Sequence, residues 1–218
     1  MEGEFTCDNA ECIDLDNRCD NFFDCEDGSD ENYCTLIEID EKSYNSKFPP
    51  MKRSSRLQIE VNAEILSIVQ VNEMKMSFSS ELTIHLRWND SRITYKDLKS
   101  DGNFLSKESY EKIWLPPIYF SNTKRNEKLL NPESISVEVL REGNFLLNDI
   151  DILHESKIYL GTENRLQLVG QYEFDFHCEF SLVYYPFDFQ SCKIIIDTRK
   201  DILDSTILQP RRLLYKGL

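Results

Sequence analysis

The sequence predicts a mainly β protein, in which a small module stabilised by disulfides and calcium precedes an antiparallel, immunoglobulin-like β-sandwich. Two observations support this fold class. Five of the seven cysteines fall within residues 7–34, a density typical of small secreted domains that use disulfides in place of a large core. From Arg56 onward, apolar and polar residues alternate with a period of two over several segments, which indicates strands with one buried face.

Charge is distributed unevenly along the chain. Residues 1–36 contain 12 acidic side chains and one basic side chain, whereas the rest of the chain contains 27 acidic and 24 basic ones. An acidic balance disfavours nucleic acid as a partner. Carboxylates as dense as those in the first segment must be solvated, disordered or bound to cations. The 40 % hydrophobic content, with 13 Phe and 10 Tyr, is sufficient for a packed core in the second segment.

The first 36 residues have little apolar content, so disulfides or a metal must hold them together. Asp20 and Asp24 flank a short turn, and Asp30 and Glu31 follow a turn at Gly28. Calcium takes about six to eight oxygen ligands, and carboxylates at this spacing on a tight loop can supply them. The odd number of cysteines leaves at least one thiol unpaired or paired outside the chain.

Residues 37–50 are polar and end in a Pro pair, which stiffens the chain and predicts a linker. Beyond it, alternation predicts strands in LQIEVNAEILSIVQV, SFSSELTIHLRW, SISVEVL and LVGQYEFDFHCEFSLVYY, and SKESYEKIWL predicts a short helix. The last strand segment places Tyr172, Phe174 and Phe176 on one face, with acidic residues between them on the other. Many short strands separated by polar turns favour a sandwich.

The run CDNFFDCEDGSDENYC resembles the second half of a low-density-lipoprotein receptor class A repeat, and FTC and ECI match its second and third cysteines. This resemblance implies a bound calcium ion (Ca2+) as cofactor. The ligands implied are the side chains of Asp20, Asp24, Asp30 and Glu31 and backbone carbonyls near Asn17 and Phe22. The alternative is a solvated acidic loop without a metal.

The same resemblance implies how the cysteines of the module are paired. It gives disulfides Cys7–Cys25 and Cys19–Cys34. The family's first cysteine has no counterpart here, so Cys12 is left as the unpaired thiol. A disulfide-rich module of this kind belongs in an oxidising, extracellular compartment.

Three motifs of the second segment resemble one family, the Cys-loop receptors, which are pentameric neurotransmitter-gated ion channels. The first is CEFSLVYYPFDFQSC, in which Cys178 and Cys192 enclose a YPFD turn. The second is WNDSR, at residues 88–92, and the third is IWLPPIYFSNT, at residues 113–123. The third motif resembles ligand-binding loop A, with Pro117 where the family usually has Asp. A generic sandwich disulfide is the alternative for the cysteine pair alone.

The Cys-loop resemblance implies roles for individual residues, with the agonist bound between two subunits. The ligand-binding residues implied are Tyr119, Phe120, Ser121 and Asn122 in loop A, Asp197, Thr198 and Arg199 in loop B, and Thr83, His85 and Arg87 on the complementary strand. The gating loop implied is Tyr185, Pro186, Phe187 and Asp188, closed by a Cys178–Cys192 disulfide. The structural residues implied are Trp88, Asp90, Arg92 and Trp114. The alternative for the strand residues is that they are solvent-facing polar positions.

These resemblances imply a class A module at 1–36, a linker at 37–50 and a partial ligand-binding domain at 51–218, without its last strands. The function expected is the extracellular ligand-binding part of an invertebrate-type, pentameric ligand-gated ion channel. A secreted binding or adhesion protein without channel activity is the alternative. The expected partners are a small-molecule agonist, homologous subunits in a pentamer, a protein at the acidic module, and the plasma membrane through helices absent from this chain.

Other sequence features suggest no enzyme. The motifs GxSxG, GxGxxG and HExxH and the P-loop are absent, and the three His are far apart, which disfavours a metalloenzyme. The start, MEGEFTC, does not resemble a signal peptide. Asn89 begins a possible glycosylation sequon, Asn-Asp-Ser. Residues 131–165 are expected to contain an insertion of unknown function.

Overall fold

The computed structural model describes residues 4–20, 22–32, 34–50, 56–123, 135–146, 157–185, 187–199, 202 and 205–215. These residues are mainly in β-strands, as the alternation of apolar and polar residues predicts. The strands are β1 (Glu4–Thr6), β2 (Cys12–Asp14), β3 (Ile37–Ile39), β4 (Leu57–Asn72), β5 (Ser77–Trp88), β6 (Ile93–Lys96), β7 (Ile118–Phe120), β8 (Ile135–Leu140), β9 (Ile158–Leu160), β10 (Arg165–His177), β11 (Ile196–Thr198) and β12 (Thr206–Tyr215).

Helical structure is short. The predicted helix is a single turn, α1 (Lys107–Tyr110), which begins after Ser106 with a hydrogen bond from the Ser109 N–H to the Ser106 side chain. Two 3₁₀ turns, Leu15–Asn17 and Ser29–Glu31, lie in the first module. No helix within the described ranges has both the length and the apolar character needed to cross a membrane.

A five-stranded sheet forms one layer of the second domain, in the order β12–β4–β5–β10–β8. β4, β5, β10 and β8 pair antiparallel, as predicted, whereas β12 lies parallel to β4. Two smaller antiparallel sheets, β3–β6–β9 and β7–β11, complete the sandwich. In the first module, β1 and β2 form a separate hairpin.

Aromatic residues fill the core between the five-stranded sheet and the smaller sheets. Phe120 of β7 packs edge-on against Phe174 and Phe176 of β10, with ring centroids 5.1 and 5.2 Å apart. Trp88 of β5 makes a similar contact with Trp114, at 6.2 Å. β10 alternates as predicted, with its aromatic residues buried and its acidic residues exposed. Edge-on contacts of this kind add to the hydrophobic stabilisation of the core.

A fully buried carboxylate, that of Asp90, connects three parts of the second domain. Arg92 donates to both of its oxygens, at 2.9 and 2.7 Å, and both residues are among the structural residues that the resemblance implies. The hydroxyl of Tyr44 donates to Asp90 Oδ2 at 2.9 Å and accepts the Trp114 N–H at 2.9 Å. Burial raises the pKa of Tyr44 above its ordinary range, so the hydroxyl keeps the proton that it donates.

The predicted linker, residues 37–50, is instead part of the sandwich. β3 pairs with β6 from Ile37 opposite Tyr95 to Ile39 opposite Ile93. Arg92 also donates to the carbonyl oxygens of Asn45 and Phe48, at 3.1 and 3.0 Å. A strand of three residues is too short for alternation to indicate, and the polar composition of this segment therefore predicts a linker wrongly.

The expected insertion near 131–165 also contributes strands, because β8 pairs with β10 and β9 pairs with β6. Residues 131–134 and 147–156 lie outside the described residues. Gly161, directly after β9, packs against the turn that contains Asp90: a Cβ at this position would lie 2.1 Å from the Asp90 carbonyl oxygen. Only glycine permits so close an approach of two backbones, so this part of the segment is built into the fold.

We predict that replacing Tyr44 with Phe destabilises the second domain by about 2 kcal/mol, because the change removes a hydrogen bond to a buried carboxylate and leaves the Trp114 N–H without its acceptor. Urea denaturation followed by tryptophan fluorescence measures the loss. Tyr184→Phe, at an exposed position, is the matched control and should change stability by less than about 0.5 kcal/mol. Equal stability of the two variants would contradict the role assigned to Tyr44.

We also predict that the Asn89 sequon carries no glycan. Its Nδ2 donates to the carbonyl oxygens of Gly161 and Thr162, at 3.2 and 3.1 Å. Attachment of a sugar replaces one of the two amide hydrogens, so at least one of these bonds would be lost and the sugar would have to fit against this backbone. Intact-mass measurement after secretion from a eukaryotic host should show no loss on glycosidase treatment. Met74→Thr creates a sequon at Asn72 beside a fully exposed side chain and is the positive control for glycosylation.

Candidate functional site

Disulfides close the two candidate loops. The structure pairs Cys7 with Cys25 and Cys19 with Cys34, and Cys12 is an exposed free thiol. In the second domain, Cys178 pairs with Cys192. These are the pairs that the two resemblances imply. A disulfide that closes a loop of about 15 residues stabilises the fold by roughly 3 kcal/mol in the chain-entropy model.

The candidate calcium loop turns at Gly28, whose backbone φ of +68° begins the 3₁₀ turn Ser29–Glu31. Asp30, in this turn, is fully buried. Its Oδ2 accepts the Asp24 N–H at 2.8 Å, whereas its Oδ1 has no hydrogen-bond partner among the described residues. A buried carboxylate oxygen without a partner costs free energy unless a cation or a donor compensates it. Asp30 therefore fits a cation site.

The other predicted ligands lie in the same loop, but their oxygens accept hydrogen bonds from it. Glu31 Oε1 accepts the Asp20 N–H at 2.7 Å, and Asp20 Oδ1 accepts the Phe22 N–H at 2.9 Å. Asn17 Nδ2 donates to Asp24 Oδ1 at 3.2 Å. Across the described residues, no group of three or more His, Cys, Asp or Glu side chains is placed to hold a metal ion. The predicted ligands are thus gathered in one loop, but they do not form a coordination shell.

The loop A and loop B segments are neighbouring strands. β7 and β11 pair so that Tyr119 lies directly opposite Asp197, and both side chains are half-buried. Ser121 and Arg199, at the two ends of this pair, are exposed. Phe120 and Thr198 face the core instead, because successive residues of a strand point to opposite faces. The predicted loop residues that face outward on this pair of strands are Tyr119, Ser121, Asp197 and Arg199.

Asn122, the last predicted residue of loop A, is committed to backbone hydrogen bonds. Its Nδ2 donates to the carbonyl oxygens of Lys193 and His177, at 2.7 and 3.3 Å, and its Oδ1 accepts the Ile195 N–H at 3.0 Å. These partners flank the two cysteines of the Cys178–Cys192 loop. The side chain of Asn122 therefore joins loop A to the base of that loop and is not directed to a ligand.

The predicted complementary residues Thr83, His85 and Arg87 lie on the outward, polar face of β5. Each faces polar or charged residues of β4, with Arg87 opposite Glu60 and His85 opposite Asn62. His85 and Arg87 line a polar depression of about 580 Å³, together with Glu60, Asn62, Ala63, Glu64, Arg165 and Arg211, whereas Thr83 is buried. Loops A and B lie on the core side of the five-stranded sheet, so one chain does not bring the two sets of residues together.

Hydrogen bonds and ion pairs cross this polar face from strand to strand. The guanidinium of Arg87 donates to Gln167, which in turn donates to Glu138. Arg165 pairs with Glu60 at 2.9 Å. Desolvation opposes ionisation of Glu60, but hydrogen bonds and charges from Arg211 and Arg165 lower its pKa overall. No sequence motif marks Glu60 or Arg165 as site residues, although alternation with the apolar residues of their strands places both on the outward face.

The Cys178–Cys192 loop exposes aromatic side chains. Tyr185, Phe187 and Phe189 are largely exposed, and the predicted Pro186 lies outside the described residues. Val71, near the end of β4, and Met74, in the β4–β5 turn, are also exposed, and the Cys178 N–H donates to the carbonyl oxygen of Met76 in this turn, at 3.0 Å. Several large apolar side chains exposed in one loop are typical of an interaction site.

Comparison with known proteins assigns both segments. The neurotransmitter-gated ion-channel ligand binding domain matches residues 35–200, and the low-density lipoprotein receptor domain class A matches residues 1–34. Similar proteins include a glutamate-gated chloride channel of Drosophila melanogaster, 22% identical over 62% of this chain and 25% of the relative. An acetylcholine receptor subunit beta of Rattus norvegicus is 22% identical over 71% of this chain and 27% of the relative.

A gamma-aminobutyric acid receptor subunit theta of Mus musculus is a further relative, 20% identical over 76% of this chain and 23% of its own length. The chain therefore spans about a quarter of the length of these curated relatives. The family match covers most of the chain, and the matched residues contain the sandwich except for β12, the disulfide-closed aromatic loop and the paired strands β7 and β11. The chain belongs to the neurotransmitter-gated ion-channel ligand-binding domain family, and a low-density lipoprotein receptor class A domain precedes that domain.

Proposed function

We propose that this chain is the extracellular ligand-binding part of a pentameric ligand-gated ion channel, and that the Cys178–Cys192 loop couples agonist binding to gating. The observation that carries this proposal is the exposed aromatic tip of that loop, within a domain of the receptor family. Apolar side chains such as Phe187 are costly to leave in water and gain by packing against another surface. The partner surface in this proposal is the membrane domain, which places the chain outside the plasma membrane.

The agonist site in this proposal lies between two subunits. Tyr119 and Asp197 face outward on one side of the domain, and His85 and Arg87 lie on the opposite face of the five-stranded sheet. A neighbouring subunit can bring the second set to the first, which a single chain cannot do. Tyr119 of loop A and Asp197 of loop B, which lie opposite each other, supply one aromatic ring and one carboxylate. They do not form the set of aromatic rings that encloses a quaternary ammonium group. The proposal assigns no enzyme activity to these residues.

We further propose that the class A module, residues 1–36, binds calcium through Asp20, Asp24, Asp30 and Glu31 and the backbone carbonyls near Asn17 and Phe22. The match to the class A domain and the buried, unpartnered oxygen of Asp30 support this assignment. When bound, calcium supplies the positive charge that offsets four neighbouring carboxylates. The second domain of the proposal then begins near residue 37, because β3 belongs to the sandwich.

We predict that Asp30→Asn lowers the calcium affinity of the whole chain by about 100-fold or more, because the change removes the charge of the buried ligand while keeping its shape. Isothermal titration with calcium chloride measures the affinity. Asp8→Asn removes a charge from an exposed position of the same module and should leave the affinity within about threefold. A wild-type chain that binds no calcium would refute the site.

The channel proposal is tested in oocytes that express the complete receptor. The agonists to apply are glutamate, acetylcholine and γ-aminobutyric acid, which are named by the relatives. A current evoked by one of them supports the proposal. The absence of both binding and current for all three compounds, in cells with surface expression, favours a binding protein without channel activity.

In the same cells, we expect Phe187→Ala to reduce the efficiency of gating by about tenfold, a typical coupling between sites, while agonist binding stays within about threefold. Phe187 is exposed and lies outside the loop A and loop B segments, so its loss removes contacts of the gating loop alone. Phe48→Ala, at another exposed Phe, is the control and should change neither quantity. Lost binding with intact gating would contradict the assignment of the loop.

A further inference from the structure

The class A module contacts the second domain through its single basic residue. Among the 12 acidic side chains of residues 1–36, Arg18 is the only cation, yet it pairs with Asp97, just after β6. The distance from Arg18 Nη1 to Asp97 Oδ2 is 2.5 Å, and each side chain is 15% exposed. The guanidinium also lies over the ring of Phe5, 4.5 Å from its centroid. Because both side chains are mostly buried, the pair is screened less than a fully exposed ion pair.

Asp97 is held rigidly by the second domain. Its Oδ1 accepts the Lys157 N–H at 2.8 Å, and its own N–H donates to the Lys157 carbonyl oxygen at 2.9 Å. Its φ of +48° lies in the left-handed region, which Asp and Asn tolerate better than other residues with a side chain. The carboxylate that Arg18 meets is therefore in a fixed position before the module docks.

Arg18 is held by the loop that carries the proposed calcium ligands. It lies between Asn17, whose carbonyl is a proposed ligand, and Cys19, whose N–H donates to the Asp30 carbonyl oxygen at 3.3 Å. The next residue, Asp20, donates its N–H to Glu31 Oε1 at 2.7 Å. The backbone that directly follows Arg18 is thus bonded to the turn that carries Asp30 and Glu31. A change in that turn changes where the guanidinium points.

The junction around this pair is open. A cleft of about 430 Å³ separates the module from the second domain, with Leu15, Arg18 and Glu31 on one side and Asp97, Lys99 and Phe104 among the residues on the other. An interface that contains a cleft of this size gains less from apolar packing than a closed one. The Arg18–Asp97 pair is a specific charged contact across this junction.

We propose that calcium binding by the class A module and docking of that module on the second domain are coupled through the Arg18–Asp97 pair. This inference rests on the proposed calcium site. With calcium bound, the loop presents Arg18 to Asp97; without calcium, the carboxylates of the loop repel one another, the loop loosens and the pair is lost. Linkage is reciprocal, so Asp97 raises the affinity for calcium by the same factor by which calcium favours docking.

The test measures calcium affinity in variants of the second domain. Asp97→Asn keeps the Oδ1 that accepts the Lys157 N–H and tolerates a positive φ, but it removes the charge that pairs with Arg18. We expect isothermal titration of the whole chain with calcium chloride to show affinity about five- to tenfold weaker. Asp101→Asn, an equal change of charge at an exposed position nearby, should leave the affinity within about twofold.

Arg18→Gln supplies an independent measurement from the other side of the pair, should Asp97→Asn fail to fold. The variant that carries both changes should have a calcium affinity no lower than that of the single variant with the lower affinity, because the two changes remove the same interaction. Calcium affinity in Asp97→Asn or Arg18→Gln equal to that of the wild type would overturn the coupling and leave the calcium site standing. A wild-type chain without calcium binding would overturn both, whereas the channel proposal depends on currents alone.

Hydrogen exchange gives a second readout on the unmodified chain. Removal of calcium with a chelator should speed exchange of the module amides of Arg18 and Cys19 and, in the second domain, of the Lys96 N–H, which donates to the Leu36 carbonyl oxygen at 3.0 Å. The amides at the centre of β5 should not change. Unchanged exchange at Lys96, with faster exchange in the calcium loop, would show that the module loosens without undocking and would refute the proposal.

Discussion

A buried charge must be paired, because an isolated carboxylate in a protein interior costs several kcal/mol. Asp90 has no exposed surface, and its partners come from the same turn and from a segment more than forty residues earlier. Pairing Asp90 therefore requires Tyr44, Arg92 and the turn to be in place together. The Tyr44 hydroxyl in turn positions the Trp114 backbone, and with it the start of loop A. The arrangement of the candidate ligand face thus depends on one carboxylate.

Sequence patterns predict the long elements of this fold and miss the short ones. β4, β5 and β10 are each longer than ten residues and alternate over long stretches, so the period is visible without a structure. β3 has three residues in a polar segment, and its assignment depends on pairing with β6, far along the chain. β12 contains Pro210 and pairs parallel to β4, and neither property follows from a local pattern.

The same distinction applies to the candidate sites. All six proposed calcium contacts lie between Asn17 and Glu31, so their spacing in the sequence is enough to find them. How each carboxylate is oriented depends on backbone donors such as the Asp20 and Asp24 N–H groups, which only the folded loop defines. The hydrogen-bonded row from Arg87 through Gln167 to Glu138 spans three strands. Predicting it requires the register between these strands, which local sequence patterns do not specify.

The three hydrogen bonds of the Asn122 side chain have a mechanical consequence. They join the end of β7 to the backbone at His177, Lys193 and Ile195, and so to both chain segments that lead into the disulfide-closed loop. Because all three bonds come from one short side chain, residue 122 cannot shift without moving both segments or breaking bonds. A displacement of β7 that moved residue 122 would therefore act on both segments that lead into the loop at once.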